Sequence, residues 1–337
     1  MRSFRSAPAF LAAALLLTAC GGEAPGPSAA EGAPATDDAA SGTGDSGYPL
    51  ELDNCGTAVE VAQPPERILT IKSTATELVL SLGLGDRLVG SAFADGPLPQ
   101  ALAAAADGVP EVSDDVPSQE VVLDLEPDFV FAGWESAFSA DGAGDRDSLH
   151  SFGVSTYVAP SACQEKGYKP EKLEFEDVFD DILEAGAIFG AEQAAEDLVA
   201  EQRDIVDAVV PADVAPTALW YSSGTDTPYV GAGSGAPAMI MEELGLENIA
   251  ADVDDTWTSL SWEVIAEADP EVIVLIDADW NTAEDKIARL ESSPVTSELR
   301  AVRSGSYLRL PFAASEAGVR SADAVTELAG QLEAQRG

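Results

Sequence analysis

The sequence predicts an α/β protein of two Rossmann-like lobes with parallel sheets, joined by one long rigid helix. Three observations carry this. Short, continuous apolar runs alternate with helical patterns on both sides of the chain's middle, the arrangement of parallel sheets covered on both faces. Between the two blocks, Phe175 to Val210 keeps helical spacing throughout and lacks strand signals, so it reads as a connector. Finally, the blocks share an internal echo. Ser118-Gln-Glu-Val-Val-Leu-Asp-Leu-Glu-Pro-Asp-Phe-Val-Phe131 is matched by Ser261-Trp-Glu-Val-Ile-Ala-Glu-Ala-Asp-Pro-Glu-Val-Ile-Val274, each a short helix, an acid-Pro-acid turn and a strand.

The elements follow in order. Residues 1–20 read as an export signal: Arg2 and Arg5 open it, and Ala9 to Leu17 form an apolar stretch too short for a stop-transfer helix. It closes on Leu17-Thr18-Ala19-Cys20, which looks like a bacterial lipobox with Cys20 as the lipidated residue. Residues 21–47 are Gly, Ala, Pro, Ser, Thr and acids, and read as a flexible tether. Arg67 to Lys72 is a strand; Ser73-Thr74 caps a helix carrying Leu78, Val79 and Leu82 on one face, closed by Gly83 and Gly85. Leu88 to Phe93, Asp128 to Gly133 and Ser155 to Ala159 are further strands, with a short helix at Glu120 to Leu125. The connector follows, weakened at Gly186 and Gly190 and stopped by Pro211. As a single helix it would be roughly 50 Å long. The second block has strands at Thr217–Ser222, Glu271–Asp277 and Ser306–Leu310, and helices at Ala236–Leu244, Trp262–Glu267 and Ser321–Glu333. The divisions are therefore signal 1–20, tether 21–47, N-terminal lobe 48–173, linking helix 174–211 and C-terminal lobe 212–337.

Composition removes several function classes. The 337 residues carry a net charge of −43, which argues against nucleic acid and against an anionic membrane surface as docking partners. Hydrophobic content of 46% marks a folding chain. Beyond Cys20 there are two cysteines, Cys55 and Cys163. In an oxidising compartment an even number suggests one disulfide, although two separate thiols also fit the sequence. His150 is the sole histidine, so no His-based triad or paired-His metal site exists, and no metal is expected.

Pro65-Glu-Arg-Ile-Leu-Thr-Ile-Lys-Ser-Thr-Ala-Thr-Glu77, with Leu82-Gly-Leu-Gly-Asp-Arg-Leu-Val-Gly90, resembles the opening of iron-siderophore and cobalamin-type substrate-binding proteins of ABC importers. The likeness covers about residues 48–334. It implies two α/β lobes on a helical backbone with ligand in the cleft between them, an ABC permease and its ATPase as partners, no cofactor, no enzymatic activity, and a monomer tethered to the outer face of the cell membrane. It also implies that Glu120 and Glu263, one per lobe, dock on permease arginines; as residues, both are also explained as acids suited to a helix start. A narrower likeness lies in Thr70–Thr74, Gly133–Gly144, Leu219–Gly224 and Asp254–Leu260, which are similar to an actinobacterial subgroup proposed to bind the coenzyme F-420 precursor lacking its glutamates.

Loops following the strands should face the cleft. They carry Ser73 and the aromatics Trp134, Phe138, Trp220, Tyr221, Tyr229, Trp257, Trp280 and Phe312, of which about half are expected to stack on a planar ligand and the rest to be core. Lys72, Arg146 and Arg320 could hold a phosphate or carboxylate, or could pair with neighbouring acids. Val230-Gly-Ala-Gly-Ser-Gly235 could present backbone N–H groups to an anion, or be only a tight turn. The expectation is a flat anionic ligand, a deazaflavin precursor or an acidic ferric siderophore. The rival from another class is a secreted hydrolase working with two carboxylates; a third is a lipid-anchored adhesion or scaffold protein.

Overall fold

A computed structural model describes residues 47–212 and 214–336. The signal at 1–20, Cys20 and the tether up to residue 46 lie outside the described residues. The chain opens with a hairpin, β1 (Leu50–Asn54) and β2 (Thr57–Val61), absent from the sequence reading. Its two-residue turn holds both Cys55 and Gly56 at positive φ. Hairpin turns whose twist matches that of the flanking strands require this conformation. Then come β3 (Ile68–Ile71), α1 (Ser73–Ser81), β4 (Leu88–Ala92), β5 (Glu111–Ser113), α2 (Gln119–Asp124), β6 (Phe129–Ala132), α3 (Arg146–Ser151) and β7 (Ser155–Val158). Strands β3 to β7 form an all-parallel sheet in the order β5-β4-β3-β6-β7.

The connector differs from the single strut expected. It is two helices, α4 (Phe175–Phe189) and α5 (Glu192–Asp207), folded back as an antiparallel hairpin. The cause is Gly190, whose backbone is left-handed, a conformation that stops a helix. The Ala191 N–H bonds the Gly186 carbonyl at 2.8 Å, closing the last turn. The Tyr48 hydroxyl and the Arg87 guanidinium take up the carbonyls of Ala187 and Phe189 at 2.6 and 2.8 Å, so the open end of α4 is satisfied. Gly186 lets the helices meet, since a Cβ there would stand 2.4 Å from that of Ala195. Arg203 of α5 reaches Glu176 of α4 at the opposite end of the pair. Helix α4 bridges the lobes. Leu173, before α4, donates its N–H to the Ser234 carbonyl of the second lobe at 2.9 Å. Phe189, at the other end, packs on Phe129 and Phe131 of the first.

The second lobe contains β8 (Thr217–Ser223), β9 (Tyr229–Gly231), α6 (Ala236–Glu243), β10 (Glu247–Asn248), β11 (Trp257–Ser259), α7 (Trp262–Ala268), β12 (Val272–Asp277), α8 (Ala283–Ser292), α9 (Arg300–Ser304), β13 (Tyr307–Pro311) and α10 (Ser321–Arg336). Its six-stranded sheet is mixed, not parallel as expected: β8, β10, β12 and β13 run together, β9 runs opposite to them, and β11, antiparallel to β9, runs with the rest. The link from β8 to β9 is only residues 224–228, and so short a link permits only antiparallel pairing.

Period-two alternation in the strands explains the layering. One face of each sheet (Ile68, Phe129, Phe131 and Tyr157 in the first; Trp220, Val274, Ile276 and Leu310 in the second) joins the apolar sides of α1, α4, α5, α6 and α10 in a single continuous core. The opposite faces are covered separately, by residues of α2 and α3 in the first lobe and of α7, α8 and α9 in the second. The lobes are thus fused through a shared core behind the cleft.

Candidate functional site

In the first sheet the chain runs from β3 outward to β4 and β5 and then crosses to the other side of β3 to form β6. The carboxyl ends of β3 and β6 therefore form the switch point where open α/β sheets bind ligands. In the second sheet β8 and β12 have the same relation. These ends face one another across a cavity of about 620 Å³. Thr74, Gly133 and Trp134 come from the first switch point; Ser222, Ser223 and Trp280 come from the second. Tyr229, Trp257 and Phe312 complete the aromatic wall. Tyr229 and Trp257 lie on the adjacent strands β9 and β11, diagonal to one another, and stack at 5.8 Å and 15°. Trp280 and Phe312 meet edge to face at 5.9 Å. Trp280 is 65% exposed, an unusual state for tryptophan unless a partner covers it.

Of the twelve residues expected at the ligand, five line this cavity: Trp134, Tyr229, Trp257, Trp280 and Phe312. The others are elsewhere, for identifiable reasons. Trp220 and Tyr221 are fully buried on opposite faces of β8, because strand alternation sends each into a core. Phe138 packs against the Cys55–Cys163 pair, which is joined as a disulfide with Cα atoms 5.4 Å apart. Ser73 is buried at the start of α1, where its Oγ accepts the Asp95 N–H at 2.8 Å, beside a second cavity of about 310 Å³.

None of the three expected anion anchors reaches the wall. Arg146 donates to Asn54 (carbonyl and Oδ1, both 2.8 Å) and to Thr156 (Oγ1 and carbonyl, both 3.0 Å), tying the N-terminal hairpin to β7. Burial pulls its pKa down to about 10, which leaves it a cation at neutral pH. Arg320 grips buried Glu77 with two hydrogen bonds, 2.6 and 2.5 Å, and also the Pro97 carbonyl at 2.9 Å. That pair crosses from the second lobe to the first, and burial still pushes the Glu77 carboxyl up. Lys72 is 1% exposed, ion-paired to Asp95, with its ammonium 4.3 Å from the Phe93 ring centre and 3.6 Å from that of Trp134. Burial lowers its pKa against the pull of Asp95. Lys72 and Phe93 both hold positive φ, and backbone strain of this kind collects at functional sites. The glycine-rich turn is no anion nest either. The N–H groups of Ala232, Gly233 and Ser234 are taken by the carbonyls of Thr256, Val253 and Asp255.

The sequence reading missed the polar wall. Glu135, Asp255 and Glu316 line the cavity, with Ser136, Ser161, Gln164, Thr256 and Ser315. Glu316 accepts the Trp134 Nε1–H at 3.0 Å across the cleft; burial pushes its carboxyl up, opposed by that bond and by Lys72. Its position just after β13 and Phe312, among loops already expected at the cleft, was the available signal. His150 is exposed on α3. Among the described residues, no group of three or more His, Cys, Asp or Glu is placed to hold a metal ion.

The two echo segments are alike in detail. Ser118 and Ser261 cap α2 and α7 by accepting the N–H groups of Val121 and Val264. Glu120 and Glu263 stand exposed in the first turns, and the helices end at Glu126 and Asp269, both at positive φ. The guanidiniums of Arg67 and Arg300 donate to the carbonyls of those two residues. Hydrogen bonds at the helix start lower the Glu263 pKa, keeping it ionised.

Residues 68–314 match the periplasmic binding protein family. The chain belongs to that family. The proteins it matches are binding proteins and not enzymes, and none of them supports the hydrolase reading. Two curated proteins of Halobacterium salinarum strains, named cobalamin-binding protein, are 30% identical over 66% of this chain. The match spans 57% of the length of those relatives. An uncharacterised ABC transporter substrate-binding lipoprotein of Bacillus subtilis, YvrC, is 25% identical over 85% of this chain and 86% of its own. Among solved structures, a periplasmic binding protein from Veillonella parvula has a TM-score of 0.76 at 27% identity, covering 85% of this chain and 97% of that one. A protein of an ABC-type Fe3+-hydroxamate transport system from Saccharomonospora viridis has a TM-score of 0.71 at 26% identity, covering 85% and 99%.

Proposed function

We propose that this protein is the solute-receiving component of an ABC importer and that it seats a flat, ring-bearing solute between its lobes. The observation that carries this is the cavity of about 620 Å³ walled by Trp134 from one lobe and by Tyr229, Trp257, Trp280 and Phe312 from the other. That size suits a small-molecule ligand, and exposed rings at strand ends offer stacking surface. The family and the names of its relatives support the transport role. Cys20, outside the described residues, would carry the lipid that holds the protein outside the membrane, and Glu120 and Glu263 would meet the permease. The solutes to be weighed are the deazaflavin precursor lacking glutamates, ferric siderophores, cobalamin and haem. Lys72, Arg146 and Arg320 are all engaged away from the wall, which gives no support to an anionic solute. Titration of the purified protein with each solute, followed by tryptophan quenching, tests the proposal. One of them should quench to saturation at one per chain, and Trp257→Ala should weaken it by roughly tenfold or more, the value of a lost stacking contact. Binding that is indifferent to Trp257 and its stacked partner would sink this reading.

A further inference from the structure

Resting on that reading of the cavity, we propose that the cleft selects solutes bearing a positive charge or an amine on their ring system, and that Glu316 is the residue that selects them. Among the described residues, no lysine or arginine lines the cavity, while three carboxylates do. One of the three, Asp255, is neutralised by a cation, whereas Glu135 and Glu316 each accept only a neutral N–H. Asp255 pairs with Lys169 at 2.6 Å, and Glu135 accepts the Gln164 N–H at 2.5 Å. Glu316 differs from Glu135 in that its donor is an aromatic residue of the wall: among the described residues its one hydrogen bond is from the indole N–H of Trp134, and Lys72, the cation that acts on it, is held by Asp95. Glu316 shares the cavity wall with Trp134, Trp280 and Phe312, and rings of this type attract cations through their faces. The protein itself shows the preference: the Lys72 ammonium sits over Trp134 at 3.6 Å and 5.4 Å from the Phe312 ring centre. An anionic solute would meet unbalanced carboxylate charge in a chain of net charge −43. A cation would stack on the rings and pair with Glu316.

The test is a charge series on one planar three-ring shape, bound to the intact protein and measured by calorimetry: proflavine as cation, lumichrome as neutral ring, anthraquinone-2-sulfonate as anion. Proflavine should bind about tenfold tighter than lumichrome, the value of one charge-assisted contact, and the sulfonate should bind weakest. Glu316→Gln keeps an acceptor for Trp134 and should erase the difference between proflavine and lumichrome; a thermal melt checks that the variant is folded, and the series on the unaltered protein stands without it. Equal affinities, or tighter binding of the sulfonate (the result if an anion draws Lys72 away from Asp95), overturn the charge preference while leaving the flat-solute reading intact. A cation preference that survives Glu316→Gln overturns the assignment to Glu316. No binding by any of the three counts against the flat-solute reading itself and takes this inference with it.

Discussion

Asp181 shows how a single carboxyl links the helical hairpin to the cleft. It lies on α4 and accepts the N–H of Ser161, a cavity residue, at 3.0 Å. Burial pushes its pKa up to about 7 from the ordinary 3.8, with Glu184 and Asp177 adding to the shift and the Ser161 hydrogen bonds opposing it. For an acid whose folded pKa is raised, the folded state holds the proton more tightly. That contribution to stability is complete below the unfolded value near 3.8 and is lost as pH rises through about 7. Wild type should therefore lose stability relative to Asp181→Asn between about pH 4 and pH 8 in denaturant unfolding; parallel pH profiles would refute this. At this scale the sequence was half legible. Trp134, Trp280 and Phe312 could be placed because they directly follow β6, β12 and β13. The fate of the cations could not, because Glu77 and Arg320 are 243 residues apart and nothing local announces their pairing. In so acidic a chain, each buried cation was claimed by an acid or by backbone carbonyls.

The parallel strands and their helices were readable from apolar runs, capping residues and Pro-ended turns. The hairpin β1–β2 was not, because its strands alternate half-buried and exposed residues without a strong apolar run. The connector was misread because its helical periodicity continues on both sides of Gly190, and only the backbone angle at that glycine marks the reversal. Gly190→Ala should therefore destabilise the fold by about 1–2 kcal/mol, the cost of placing a Cβ in left-handed backbone. Its new Cβ would also stand 3.1 Å from Pro64. A denaturation midpoint equal to wild type would show that the reversal does not depend on this residue. The paired α2 and α7 make a separate prediction. Glu120→Arg combined with Glu263→Arg should abolish uptake in cells while solute affinity in vitro is unchanged, since both side chains are exposed and away from the cavity. Normal uptake by the double variant would place the permease contact elsewhere.

For the whole molecule, the shared core sets the character of the cleft. The inner faces of both sheets, with α4, α5 and α10, form one apolar unit; the Trp134–Glu316 bond joins the lobes at the cavity, and the Arg320–Glu77 pair joins them away from its wall. Such a body supports small adjustments about a pre-formed cavity more readily than wide opening, because separating the lobes would expose that core. Two lobes were legible from the internal echo; the fusion behind them was not, since it depends on which strand face meets the helical hairpin. The most direct measurement is a thermal unfolding series of the intact protein with the deazaflavin precursor, a ferric siderophore, cobalamin and haem. One of them, at about a hundredfold above its Kd, should add about 2.7 kcal/mol to stability, and the gain should disappear in the Tyr229→Ala, Trp257→Ala double variant. Unchanged unfolding with all four, or a gain that survives loss of both rings, would contradict a solute held between the lobes.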